Sequence, residues 1–507
     1  MRALACIIIL SLLVFVLPVS ASASKVVSIS AGESHSLILQ DDGDVYACGT
    51  NTLAECGVGY AGGTIKDYTQ VPISNVIMIS AGGAGGLALK DDGTVWAWGA
   101  NSLGQCGNTV ADELSGFTVP VQVKGLLNIT MISAGPGWNL ALRSDGTVWG
   151  WGSNYYGEIG NTVSKQNPVP VQISGLSNIQ KIFAGADASF AIDKTGTLWG
   201  WGSNILEVNG TQAVYGVLNS NGVSGVQHSY DVYGIPVPQA NGTTISIGTI
   251  IPGPGQEKAY RTPIIVNNLT DVVSVGNRGE HIFVLKSDGT VWGWGQSYGG
   301  SFGNDSANKM GLYDPSLYAF SPVKVDGLSN VVQISVGYSH AMALESDGTV
   351  WTWGDNSNGQ VGRAGFTSTY LPGRISLTGV KEISAGYDFS MAMLNDGSVW
   401  SWGFNYYDQV GNGQHDQRVY NPAKVFPLPG QGFTKDIVQS NGTLTEINFT
   451  LNLTNPTQNS AIANATNLTG DAGDNGLPVT GLRLISIFTI IAIGIGVVYL
   501  LYNRYIK

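Results

Sequence analysis

The sequence predicts an all-β protein, a seven-bladed β-propeller of about fifty-residue repeats. Three observations predict it: a nine-residue phrase that recurs seven times, a turn dipeptide inside each recurrence, and a strand-like segment on either side of it. The phrase reads DDGDVYACG from Asp41, DDGTVWAWG from Asp91, SDGTVWGWG from Ser144, KTGTLWGWG from Lys194, SDGTVWGWG from Ser287, SDGTVWTWG from Ser346 and NDGSVWSWG from Asn395.

A short upstream strand (MISAG, ISVGY, EISAG) leads to an alternating apolar segment, such as NLAL before Asp145. Asp-Gly, or Thr-Gly at Thr195, then joins it to a second alternating segment, TVWGWG. Between two such runs this dipeptide predicts a hairpin with a two-residue type I′ turn. A loop and a Pro-x-x-V strand (PVPVQI, SPVKVDG) complete the four strands.

Twelve of the thirteen Trp residues form W-x-W pairs in repeats two to seven, while repeat one has Tyr46 and Cys48. With a period of two, Trp149 and Trp151 share one face of their strand and Gly150 takes the other. Large faces can then meet small faces from blade to blade. Repeat one starts at Lys25 without a preceding Pro-x-x-V strand, and repeat seven ends with one at Asn421, so the two ends are expected to complete one blade together.

Expected boundaries are a signal peptide at 1–23, a propeller at 24–430 with an insertion at 205–258, a stalk at 431–476, an apolar membrane span at 484–502 and a basic tail at 503–507. The signal peptide rests on Arg2, the apolar run Ala3 to Leu17 and the Ala21-Ser22-Ala23 cleavage signature. The stalk is rich in Asn and Thr and holds sequons at Asn441, Asn448, Asn452, Asn464 and Asn467. Before the span stands LPVTG: Leu477, Pro478, Val479, Thr480 and Gly481. With the apolar run and basic tail behind it, this pentapeptide resembles a sortase sorting signal. The resemblance implies cleavage between Thr480 and Gly481, attachment to the envelope and a sortase as partner. A plain membrane anchor through the C-terminal helix is the alternative.

Charged residues make up 12% of the chain and the net charge is −11. That balance argues against a grip on nucleic acid or anionic lipid. Cys48, Cys56 and Cys106 have no metal-ligand spacing and read as buried thiols. His35, His281 and His340 each precede a repeat's turn by seven positions, a blade slot rather than a catalytic one. The chain holds no HExxH, no GxSxG and no phosphate loop. No catalytic residue, cofactor or metal site is therefore predicted, and no enzyme activity.

The segments AGESHSLILQDDG, VGYSHAMALESDGTVWTWGDNSNGQVG and AGYDFSMAMLNDGSVWSWGFN resemble the regulator of chromosome condensation repeat, over about Val26 to Leu428. The resemblance implies the seven-bladed propeller. Members of that family serve nucleotide exchange, inhibition of secreted enzymes or general partner binding, so activity is not implied with the fold. Nucleotide exchange needs an intracellular GTPase and does not suit a secreted, acidic chain.

The rhythm breaks once: Gly202 to Pro263 is 61 positions, against 18 from Gly152 to Pro170. Long loops in compact domains are usually functional or disordered, and ISIGTII inside this one suggests a hairpin. Expected partner contacts are Tyr215, His228, Tyr230 and Tyr233 in the insertion, Tyr313 and Tyr318 in the loop after Gly303, and Trp138 outside the W-x-W pattern. The expected function is a cell-surface propeller that binds an extracellular protein or glycan through a loop face. A display scaffold without a ligand, or an extracellular hydrolase or lyase with an unrecognised site, are the alternatives.

Overall fold

A computed structural model describes residues 24–108, 116–161, 165–186, 188–202, 236–238, 244–246, 260–266, 269–279, 281–296, 318–363, 365, 368–426, 431–440 and 443–452. The signal peptide, the LPVTG motif, the apolar run at 484–502 and the basic tail lie outside these residues. Among the described residues no helix is long and apolar enough to cross a membrane.

Seven antiparallel four-stranded sheets follow one another along the described chain. Their inner strands are Val26–Ala31, Val76–Ala81, Ile129–Ala134, Ile179–Ala184, Val272–Arg278, Val331–Val336 and Val380–Ala385. Their outer strands are Thr64–Val71, Phe117–Gln122, Gln166–Gln172, Tyr260–Ile265, Tyr318–Lys324, Thr369–Arg374 and Arg418–Phe426. In such a meander the links after the first and third strands leave one face of the ring, and the hairpin turns leave the other. A short hairpin pairs Val237 with Ile245 inside the insertion, and Gln431–Ser440 pairs with Thr443–Asn452 at the start of the expected stalk.

Two expectations need correction. The hairpin turns are not of type I′, because only their glycines have positive φ (Gly43, +83°; Gly146, +83°). Gly43 N–H donates to Gln40 O at 3.0 Å and Gln40 N–H to Asp44 O at 2.9 Å, which is a three-residue turn ending in a glycine bulge. The aspartate stays in an ordinary conformation because its carboxylate has work inside the turn. Asp145 Oδ1 accepts from Thr147 N–H at 3.0 Å and from Thr147 Oγ1 at 2.7 Å.

The ring also closes without exchanging a strand. Blade one is Val26–Val71 alone and blade seven is Val380–Phe426 alone. Each repeat already holds its own outer strand, so none is left over to share. Closure rests instead on a side chain that repeats at four of the other seams. Ser30, Ser80, Ser133, Ser335 and Ser384 each accept, at 2.8–3.0 Å, the backbone N–H of Ala81, Ala134, Ala184, Ala385 and Ala31 on the next blade. The last of these joins blade seven to blade one.

The second Trp of four of the six pairs makes the other tie. Trp98, Trp151, Trp201 and Trp402 are buried, and their indole N–H groups donate to Glu55, Gln105, Glu158 and Gln360 carbonyls on the preceding blade at 2.8–2.9 Å. The small residues that meet these rings are loop glycines rather than the strand glycines the alternation pointed to: Gly107, at φ +64°, sits so close that a Cβ would lie 3.0 Å from Trp151 Nε1, whereas one on Gly150 would lie 3.0 Å from Ile159 of its own blade. The accepting loop is held by an Asn side chain in blades one, two, three, six and seven. Asn51, Asn101, Asn154, Asn356 and Asn405 each accept the backbone N–H five residues on, at 2.9–3.2 Å.

Candidate functional site

The links after the inner strands gather around the mouth of the central channel, and six of them begin with glycine: Gly32, Gly82, Gly135, Gly185, Gly337 and Gly386. Blade five has Asn277 and Arg278 where most blades have Ala and Gly. Asn277 fills the space over Gly185, where a Cβ would lie 2.3 Å from its side chain. Arg278 reaches across the mouth to blade one, where Nη1 donates to Gly32 O at 2.8 Å and Nη2 to Ala31 O at 3.4 Å.

Charge accumulates around this strut. Burial raises the Glu33 carboxyl above its usual range, and the Arg278 charge opposes that rise. Burial likewise lowers the Arg278 guanidinium, with Glu33 opposing. Asp388 is pushed up to about 6, first by burial and then by the charge of Asp355, while the Asn358 amide at 3.4 Å offsets part of the shift. Between these acids the Tyr338 and Tyr387 rings stack with centroids 4.2 Å apart, and Tyr338 N–H donates to Tyr387 O at 2.9 Å. Burial, then Tyr338, raises the Tyr387 hydroxyl. Among the described residues the mouth is thus aromatic and acidic, with the Arg278 cation bonded across it.

The links after the third strands form the rim on the same face. They present Tyr155 and Tyr156 on blade three and Tyr406 and Tyr407 on blade seven, with Tyr155 49% and Tyr406 62% exposed. Tyr406 and Tyr407 meet edge to face at 5.1 Å, and Phe404 lies against both. These rings stand on the loops that the Asn side chains fix, so little ordering is left for a partner to impose.

Of the sequence-predicted contacts, Trp138 is corrected. It is 3% exposed and its indole N–H donates to Ser189 Oγ at 3.0 Å, so it ties blade three to blade four. Tyr318 begins the outer strand of blade five. Tyr215, His228, Tyr230, Tyr233 and Tyr313 lie outside the described residues. The slot reading of the histidines agrees with the structure, because His35, His281 and His340 are buried and burial lowers them to about 4, 4 and 3. His340 Nε2 pairs with Ser390 Oγ at 2.8 Å on the next blade. Cys48, Cys56 and Cys106 are buried free thiols. Among the described residues no group of His, Cys, Asp and Glu could hold a metal.

Sequence reasoning missed Arg278 and the two Tyr pairs. The signal was present as departures from the repeat: Asn-Arg in place of Ala-Gly, and Tyr-Tyr where other repeats have Thr-Leu, Ser-Leu or Ser-Asn.

The comparisons agree with this geometry. Two family models, both described as the Regulator of chromosome condensation (RCC1) repeat, match the chain. One covers residues 26–57, 76–105, 129–158, 331–360 and 380–409, the other 92–142, 145–192, 288–344, 347–393 and 396–440. The chain is 34% identical over 104 residues to the Regulator of chromosome condensation of Mus musculus, covering 20% of this chain and 23% of that protein. It is 32% identical over 110 residues to the Probable E3 ubiquitin-protein ligase HERC6 of Homo sapiens, covering 21% of this chain and 10% of that protein. The matched stretches thus span less than a quarter of either relative. Among solved structures, yeast RCC1 (Prp20) crystallised with Kap60 has a TM-score of 0.59 at 18% identity, covering 88% of this chain and 93% of that one. Human WBSCR16 has a TM-score of 0.58 at 17% identity, covering 77% of this chain and 95% of that one. These likenesses speak to the fold alone. With matched repeats spread from residue 26 to residue 440 and sharing one blade geometry, the chain belongs to the regulator of chromosome condensation (RCC1) repeat family.

Proposed function

We propose that this propeller is a surface-displayed binding module that engages an extracellular protein or glycan through its loop face. The observation that carries the reading is the asymmetry of the ring. One face holds the channel mouth with Tyr338, Tyr387, Glu33 and Asp388, and a rim of exposed tyrosines on hydrogen-bonded loops. The other face carries Asp-Gly turns whose carboxylates are satisfied within the turn, with single exposed aliphatic side chains such as Leu127, Ile77 and Val332 and no exposed aromatic pair among the described residues. Exposed aromatic rings next to planar polar groups suit both protein hot spots and sugar faces. The insertion at 205–258 links the third and outer strands of blade four, the same kind of link that carries the exposed tyrosines elsewhere. Secretion by the N-terminal signal and anchoring through the C-terminal segment, by sortase or by the apolar span itself, would display the propeller at the cell surface.

The test is binding by the full chain to a panel of purified extracellular proteins and an array of glycans. Partners are then re-tested against Tyr406→Ala/Tyr407→Ala, Tyr155→Ala/Tyr156→Ala and a control on the opposite face, Leu127→Ser. Loss of at least tenfold in affinity by a Tyr variant, with the control unchanged, supports the reading. Binding indifferent to all three, or no binding at all, favours a display scaffold.

A further inference from the structure

The inner strands place one side chain per blade at the same height in the channel: Ser28, Met78, Met131, Lys181, Ser274, Gln333 and Glu382. At the seam between blades six and seven, Gln333 does two things for one neighbour. Its Nε2 donates to Ile383 O at 3.0 Å, and its Oε1 accepts from Ile383 N–H at 3.1 Å.

Glu382 stands in the same position at the closing seam, one blade on, and faces Ile29 on blade one. Its Oε1 accepts from Ile29 N–H at 3.4 Å and from Ser28 Oγ at 3.0 Å. A carboxylate only accepts, so it has nothing to offer the Ile29 carbonyl. A carboxylic acid has one donor and one acceptor, as the Gln333 amide does. The closing seam also has no strand in common between its blades, so side chains carry more of it than a shared sheet would.

We infer that the closing seam is a proton-controlled latch, in which protonated Glu382 does for Ile29 what Gln333 does permanently for Ile383, and ionised Glu382 cannot. The surroundings support it. Burial raises Glu382 from its ordinary 4.5 to about 7, outweighing the opposing effects of Ser28, Ile29 and Lys381. Lys381 is the charge acting on it. The strands Val26–Ala31, Val331–Val336 and Phe389–Leu394 around it carry no ionisable side chain, and His35 on the second strand of blade one lies at the far end, beside Gly32.

The sign follows from linkage. A carboxyl with a folded pKa above its unfolded value binds an extra proton in the fold, so its contribution is full below pH 4.5 and is lost as pH rises to about 7. The ring should therefore close more firmly in mild acid than at neutrality, as far as this seam is concerned.

The experiment compares thermal midpoints of the full chain, Glu382→Gln and Gln333→Glu at about pH 5 and about pH 8, always as variant minus wild type so that other titrations cancel. Glu382→Gln is expected to match wild type at the lower pH and exceed it by on the order of 2 °C at the higher. Gln333→Glu is expected to import the same pH dependence to the neighbouring seam, melting lower than wild type mainly at the higher pH. The carbonyl carbon shift of Ile29 adds a local NMR readout: it should move as Glu382 loses the proton it donates there, and stay level with pH in Glu382→Gln. A Glu382→Gln difference that is the same at both pH values, or an Ile29 carbonyl shift that does not move with pH, would overturn the latch.

Discussion

Tyr68 and Cys48 together fill the place that a single tryptophan occupies at other seams. A Cβ on Gly411 of blade seven would lie 2.6 Å from both Cys48 Sγ and Tyr68 Cε2, just as one on Gly362 would meet the Trp402 ring. Strand register puts Tyr68 at the position equivalent to Pro120 in blade two and to Pro170, Pro263, Pro322, Pro372 and Pro422 in the later blades.

Cys48→Trp should therefore overpack the closing seam and cost about 1–3 kcal/mol. Cys48→Trp with Tyr68→Pro, which writes the later repeats' pair into blade one, should recover most of that loss. Chemical denaturation of the two variants decides it, and equal losses would mean that Tyr68 does not fill the gap.

His281 is buried with neither ring nitrogen hydrogen-bonded, because Ala341 stands where Ser390 serves His340. Ala341→Ser should stabilise the fold by about 0.5–1.5 kcal/mol by supplying the missing hydroxyl. The matching change for His35, Gly86→Ser, should instead destabilise, since its Cβ would lie 2.4 Å from Trp98 Cζ2. Opposite signs in paired urea titrations are the expected result.

The same histidines set the acid limit. Burial holds His281 near 4, below its ordinary 6.5, so its neutral form stabilises the fold fully above pH 6.5 and that contribution is lost as pH falls toward 4. His281→Phe, borrowing the residue that blade seven uses at Phe389, should remove on the order of 2–3 kcal/mol of acid sensitivity. Its stability profile should be flatter between those pH values; an unchanged slope would mean the histidine does not titrate there.

Arg278→Gly would return blade five to the residue its six counterparts carry, yet it should destabilise by about 1–3 kcal/mol because the Gly32 and Ala31 carbonyls lose their donor. Arg278→Lys should rescue only part of the loss, since a single ammonium cannot reproduce the fork. The removal of Arg278 should also raise the Glu33 carboxyl further, which NMR titration of its side chain would read.

The blades were legible because their information is local. Asp145 and Gly146 turn the chain whatever surrounds them, and the alternation in TVWGWG marks a strand before any partner is known. The glycines that meet the Trp rings were not legible, since Gly107 and Gly362 stand in loops outside the alternating strands. The turn type was misjudged because a dipeptide does not reveal that Asp145 would bond Thr147 and keep its own φ ordinary.

What the sequence determined by itself was the repeat: seven units of four strands, each around one hairpin, and a periodicity that makes one face of the strand large and the other small. What only the tertiary structure decided was how the repeats differ once they are neighbours. That Arg278 meets Gly32, that Tyr68 completes Cys48, and that Glu382 faces Ile29 depend on contacts between residues 20 to 353 positions apart. The physical reason is that a ring brings its ends together through seams whose partners belong to different repeats, and a repeat read alone carries no record of its neighbour.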